Sequence, residues 1–282
     1  MRTKKNKKAH RLVVFVALCL WLSFFSASSY GQEQKPSVLD NIKWLQGPAL
    51  GDLGTIAEVK VPEGYVFAGA QDAKVLMEAM QNPLSGSEMG FLAPATMEWY
   101  LLFEFDDTGY VKDDEKDSLN ADAMMKSIKT GNEEGNKERQ KREWATMTIT
   151  GWEQPPRYNP ETHNLEWAIR AESQGAPVIN YNTRLLGRSG VMKATLVADP
   201  AILADTLVKA KGVINDFSFK TGQKYAEFRK GDKLAKYGLS ALVVGGATAV
   251  AVKSGLFKWL WKLIVLAALA VGAFFKRIFG KK

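Results

Sequence analysis

The sequence predicts an α+β fold: an antiparallel β-sheet domain with helices packed on it, followed by a C-terminal transmembrane helix or hairpin. Three observations carry this reading. From Trp144 to Ala198, strand signals follow one another through short connections, which suits an antiparallel meander. Helix starts are marked separately, at Asp72, Asn120 and Asp199-Pro200. No acidic residue follows Asp232, and the chain becomes apolar before a basic tail.

Residues 1–29 divide into a basic stretch (Arg2 to Arg11), an apolar run (12–25) and the small residues SASS. The apolar run reaches about 21 Å as a helix, short of a ~30 Å hydrocarbon core. It reads as a secretory signal peptide, with cleavage before Tyr30. Residues 30–236 then form an extracytoplasmic domain. VLDNIKWLQG (38–47) has Val38, Leu39, Ile42 and Leu45 at helical spacing. Thr55–Val61 alternates as a half-buried strand, and Tyr65–Phe67 resumes extended structure after Pro62-Glu63-Gly64. Asp72 caps a helix through Met80, which Asn82-Pro83 ends. LSGSEMG (84–90) reads as a loop, and Trp99–Phe105 as a strand rich in aromatic and branched residues.

Asn120 caps a helix to Lys129, broken by Gly131, and 133–143 is a solvated, mixed-charge stretch. Strands follow at 145–152, at Leu165–Ile169, at Val178–Leu186 and at Val191–Ala198, with a proline-rich loop at 155–163. Asp199-Pro200 opens a helix to Lys211 that Gly212 ends. Val213–Lys220 returns to the sheet.

Residues 237–282 read as a membrane anchor. Leu256–Phe275 spans about 30 Å as one helix, with Trp259 and Trp261 at the interface. With one span, Lys276, Arg277, Lys281 and Lys282 lie on the cytoplasmic side, as the positive-inside rule prefers. Leu239–Val252 reaches only about 21 Å; it packs at the interface or extends the single helix, or it forms the first arm of a hairpin.

The net charge of +8 is carried by the two ends. Residues 30–252 hold 25 Lys and Arg against all 30 Asp and Glu, about −5, so no phosphate-neutralising surface and no nucleic-acid partner is expected. The single cysteine, Cys19, lies in the signal segment. One histidine, His163, remains beyond that segment, which excludes a zinc site built on His and Cys and leaves a Ser-His-Asp triad without context. No phosphate-binding glycine loop occurs, and no cofactor is expected.

Three patterns could carry a site. Glu104, Asp106, Thr108, Gly109 and Glu115 fall at the spacing of a calcium loop, although Lys112 interrupts the donors; the alternative is a strand-ending turn. Arg184 and Arg188 bracket a strand end and could clamp an anion, or pair with surface acids. Trp144, Trp152, Tyr158, Trp167 and Tyr181 are core residues first and a stacking platform for a glycan or peptide second. The ligand-binding candidates are therefore Arg184, Arg188, Trp152 and Tyr158.

GYVKDDE (109–115), Asn136 with Arg139, GW-x-x-P-P-x-Y (151–158), L-x-WA (165–168), NY-x-x-R-x-LGR-x-G (180–190), F-x-x-G-x-x-YAEF (219–228) and the KYGL that starts the anchor follow in order. Together they resemble the bacterial membrane-anchored proteins grouped as domain-of-unknown-function family 2167. The resemblance implies a domain on the outer, periplasmic side of the cytoplasmic membrane and implies no reaction. The expected function is a non-enzymatic binding or assembly module whose partners are the lipid bilayer and another envelope protein. Alternatives are a sensor of a glycan, lipid head group or peptide, and a carboxylate-based hydrolase.

Overall fold

The computed structural model describes residues 38–244. The predicted signal segment and the predicted span at 256–275 lie outside them. Among the described residues, no helix is long and apolar enough to cross a membrane.

Eleven strands form two antiparallel sheets in the described chain. The main sheet holds eight: β1 (Leu45–Gln46), β4 (Tyr65–Gly69), β5 (Glu88–Pro94), β6 (Tyr100–Asp106), β7 (Thr148–Asn159), β8 (Asn164–Ser173), β9 (Ala176–Leu186) and β10 (Val191–Ala198). Their spatial order is β1-β4-β5-β6-β10-β9-β8-β7. The smaller sheet joins β2 (Ala49–Leu53), β3 (Ala57–Val61) and β11 (Phe217–Phe219) in the order β11-β3-β2. The helices are α1 (Ala70–Ala79), α2 (Ala121–Lys141), α3 (Leu203–Asn215) and α4 (Leu239–Val244).

The central strands of the main sheet, β5, β6, β9 and β10, are buried on both faces. Tyr100 and Leu102 face a layer made by α1, α2 and α4, while Leu101 and Phe103 face the small sheet and α3. The core therefore lies in two slabs either side of one sheet. Strand alternation fixes which side chain enters which slab, so a one-residue slip in register would exchange them.

The α+β class and antiparallel sheet match the sequence expectation; several boundaries do not. The helix read over 38–47 is a short 3-10 turn (Val38–Asn41) followed by β1, because Leu45 and Gln46 pair with Phe67 and Val66 on β4. Gly69, not Asp72, occupies the N-cap of α1; Asp72 lies in its first turn. The loop read at 84–90 gives way to β5 at Glu88. The proline-rich 155–159 continues β7, since an edge strand tolerates residues that cannot donate. Gly212 lies inside α3, and β11 joins the small sheet rather than the main one.

Helix α2 does start at Asn120, whose side chain accepts from the Ala123 N–H at 2.9 Å. It does not stop at Gly131 but runs through to Lys141. Tertiary contacts on the later turns override the weak propensity of glycine. Asn136 accepts from the Met147 N–H at 2.9 Å and donates to the Met147 carbonyl at 2.6 Å, and Asn132 reaches the same carbonyl at 2.8 Å. Arg139 donates to the Gln81 carbonyl at 3.1 Å. Replacing Asn136 with Leu is expected to strand the Met147 N–H and cost about 1–3 kcal/mol in a denaturant melt. An unchanged melting midpoint would show that water replaces the amide.

Candidate functional site

Charge inside the main sheet is concentrated in one row. The register sets Glu88 opposite Glu104, Glu104 opposite Lys193, and Lys193 opposite Arg184, so one side chain from each of four adjacent strands lines up. All four residues are buried. Lys193 Nζ lies 3.4 Å from Glu104 Oε1 and 3.2 Å from Asp106 Oδ1. The Arg184 guanidinium stacks 4.6 Å from the Trp167 ring centroid and donates to Asn182 Oδ1 at 3.3 Å. Glu88 accepts from the Ser85 hydroxyl at 2.9 Å and the Gly86 N–H at 3.0 Å, and Ser87 Oγ donates to Glu104 at 3.3 Å.

Burial alone would push the Glu104 carboxyl up. Lys193 first, then hydrogen bonding and Arg184, outweigh it and hold the group below the usual carboxylate range. Burial pulls the Arg184 guanidinium down to about 10, against the pull of Glu104 and Asp106, so it stays charged at neutral pH.

The C-terminal end of the described chain is strapped beside this row. Residues 107–110 run alongside 233–235, with the Tyr110 N–H donating to the Lys233 carbonyl at 2.8 Å and the Ala235 N–H donating to the Tyr110 carbonyl at 2.9 Å. The Tyr110 ring stacks on Tyr225 at 4.4 Å and on Phe228 at 4.2 Å. Tyr225 donates its hydroxyl to the Val111 carbonyl at 2.9 Å. Tyr237 then comes close enough to feel Asp106 and Arg184. Glu115 accepts from the Ser240 N–H at 2.8 Å at the start of α4. A Cβ at Gly238 would stand 2.5 Å from Glu115 Oε1, so a larger residue there would have to displace that carboxylate. In α4 itself Leu239, Ala241, Leu242 and Val243 are all buried, and the helix packs on the same core slab as Met124 and Ile128 of α2. Closed to solvent and internally paired, the charged row is suited to fixing register and holding the strap, not to receiving a substrate.

The calcium-loop residues are divided between these roles. Glu104 and Asp106 serve Lys193, and Glu115 serves Ser240. Among the described residues, no group of three or more His, Cys, Asp and Glu could hold a metal ion. Arg184 and Arg188 do not form a clamp either. Arg184 is buried, whereas Arg188 sits in the β9–β10 turn and grips both oxygens of Asp232 at 2.7 and 2.8 Å. That bidentate pair holds the Asp232 carboxyl at about 2.

The aromatic residues are also dispersed. Trp167 packs in the helix-covered slab and Tyr181 in the opposite one. Trp152 and Tyr158 pack partly buried against the first slab. Tyr158 donates its hydroxyl to Asp113 Oδ2 at 2.9 Å, so His163 Nδ1, 3.1 Å away, is the donor in the remaining bond. His163 in turn packs on the Tyr225 ring at 4.5 Å and braces the strap. Sequence reasoning missed Lys193 and Glu88. The signal for Lys193 was its place among Val191, Thr195 and Val197, one face of an otherwise buried strand.

No curated protein matches the chain in sequence. Among solved structures, the cyanobacterial PsbP protein CyanoP from Synechocystis sp. PCC 6803 is 8% identical, with a TM-score of 0.37 over 61% of this chain and 94% of that one. A protein of unknown function, PA94 from Pseudomonas aeruginosa, is 12% identical, with a TM-score of 0.25 over 59% of this chain and 92% of that one. Neither likeness is close enough to carry an argument. The family described as Protein of unknown function (DUF2167) matches residues 46–275, most of the folded domain and the apolar run beyond it, and the chain belongs to that family.

Proposed function

We propose that the chain is a membrane-tethered, non-catalytic binding or assembly module of the bacterial envelope, held against the outer face of the cytoplasmic membrane by its C-terminal apolar run. The supporting observation is the way the fold ends. Helix α4 is buried in the core, and the sequence leaves it with no polar linker: from Leu239 to Phe275 the only charged residues are Lys253, Lys258 and Lys262. Only eleven residues (245–255) separate α4 from the predicted span, so the domain stands close to the bilayer. Its partners are then the bilayer and a second protein at the membrane surface. The carboxylates of the acidic segment favour a non-catalytic reading, since Asp113 and Glu115 both serve structural partners.

Topology is tested with a single cysteine at the tail, Lys282→Cys in a Cys19→Ser chain. In intact cells an impermeant maleimide should fail to label it, and labelling should appear after permeabilisation. Labelling from outside would sink the single span, and release of the protein by alkaline carbonate would sink the tether altogether.

A further inference from the structure

At the β7 end of the main sheet, on the face that carries α3, lies a cleft of about 270 Å³. Its lining is set by an irregularity in β7. Gln154 stands opposite Ala168 and Arg157 opposite Glu166, so three steps along β7 match two along β8. Regular alternation would send residues 154 and 157 to opposite faces. The extra residue brings both onto the face of Glu166, the kind of re-aiming for which bulges are used. Tyr181 of β9, also opposite Ala168, adds its hydroxyl to the same face.

The groups that meet there are partly committed to one another. Tyr181 donates to Glu166 Oε2 at 2.6 Å, and Lys211 of α3 reaches the same oxygen at 3.4 Å. Lys211 Nζ also lies 5.3 Å from the Tyr181 ring centroid, and Gln154 Nε2 lies 3.5 Å from the Tyr181 hydroxyl. Burial and the Glu166 bond raise the Tyr181 hydroxyl above its ordinary range, so it remains a donor. The Glu166 carboxylate is thus oriented through one oxygen, while Oε1 has no hydrogen-bond partner among the described residues. Arg157, exposed at the mouth, makes no hydrogen bond or ion pair among the described residues. Two cations against one carboxylate leave the cleft with a net positive charge. Its volume falls just under the ~300–1,000 Å³ of pockets for drug-sized ligands, which suits one ring or one residue.

The geometry points to a binding site for a small anion that carries hydroxyl donors beside its charge, with an acidic monosaccharide as the ligand chemistry that fits. Its carboxylate meets Arg157 in the paired geometry a guanidinium offers and is shared with Lys211. Its neighbouring hydroxyls donate to Glu166 Oε1 and to the free carbonyl oxygen of Gln154.

The test is calorimetric titration of the full chain in detergent with three probes: glucuronate, acetate and glucose. Glucuronate is expected to saturate, with acetate (charge without hydroxyls) and glucose (hydroxyls without charge) each at least tenfold weaker. Arg157→Gln and Lys211→Gln should each weaken glucuronate at least tenfold, and Arg157→Gln should do so with the melting temperature unchanged. The assignment is overturned if glucuronate fails to saturate at millimolar concentration, if acetate binds as well as glucuronate, or if Arg157→Gln leaves the affinity unchanged.

Discussion

Replacing Lys193 with methionine is expected to destabilise the domain by about 3–5 kcal/mol, the cost of leaving a buried carboxylate without its cation. Volume changes little in this substitution, so the loss reads charge and not packing. Lys193 is the ammonium that both Glu104 and Asp106 approach within 3.4 Å. Asp106 is partly open to water and can be hydrated; Glu104 is buried. Arg184 remains in the row but is stacked on Trp167.

The pH dependence separates this account from a packing defect. In the native chain the Glu104 carboxyl is depressed, so its contribution is present above the unfolded carboxylate value near 4.5 and is lost as pH falls through the folded value. Without Lys193, burial dominates and the carboxyl moves up. A raised carboxyl favours the protonated fold, so the variant's deficit should be largest near neutral pH and should narrow toward pH 4–5. Adding Glu104→Gln should recover much of the loss at neutral pH, because no buried charge is then left unpaired. A deficit that is flat with pH, and that Glu104→Gln does not relieve, would mean the row is not electrostatically coupled.

How far the sequence foretold this architecture depended on the range of each interaction. Strands β8, β9 and β10 were legible because their residues alternate or run apolar within a few positions. The start of α2 was legible because a cap is local, but its end was not: Asn136 and Arg139 hold the helix past Gly131 by reaching Met147 and Gln81. Strand β5 was obscured by the Gly and Ser of LSGSEMG, which read as a loop although Glu88 already pairs with Glu104. Site residues suffered most. Glu104 and Lys193 meet only through the pairing of β6 with β10, and no local pattern announces it. Register took Tyr181 out of the aromatic group, because setting Ala168 opposite Tyr181 turns Trp167 to the other face, where Trp152 and Tyr158 also pack. The Gln154–Arg157 cleft was hidden for the converse reason, since a bulge joins two residues that ordinary strand spacing would separate.

Ending the chain after Tyr237 is expected to abolish or nearly abolish the native fold, even though every residue removed lies beyond the start of the predicted anchor. The cut deletes α4, whose Leu239, Leu242 and Val243 are buried in the slab shared with α2. At about 1.5–3 kcal/mol for each of the three large aliphatic side chains, the loss is roughly 4.5–9 kcal/mol. That is comparable to the ~5–15 kcal/mol by which an ordinary domain is stable. Glu115 also loses the Ser240 N–H, and the apolar faces of Met124 and Ile128 are opened to water. A chain spanning 30–252 should therefore melt cooperatively, while 30–237 should bind a hydrophobic dye and be cut readily by protease. Within the full chain, Leu242→Asp tests the same point without a truncation and should lower the melting temperature by many degrees. If 30–237 melts like 30–252, α4 is dispensable and the domain is separable from its C-terminal apolar run. If it does not, the segment that opens the predicted anchor is also the segment that completes the core. Proteolytic cutting before α4 would then not release a folded domain, whereas cutting after it would.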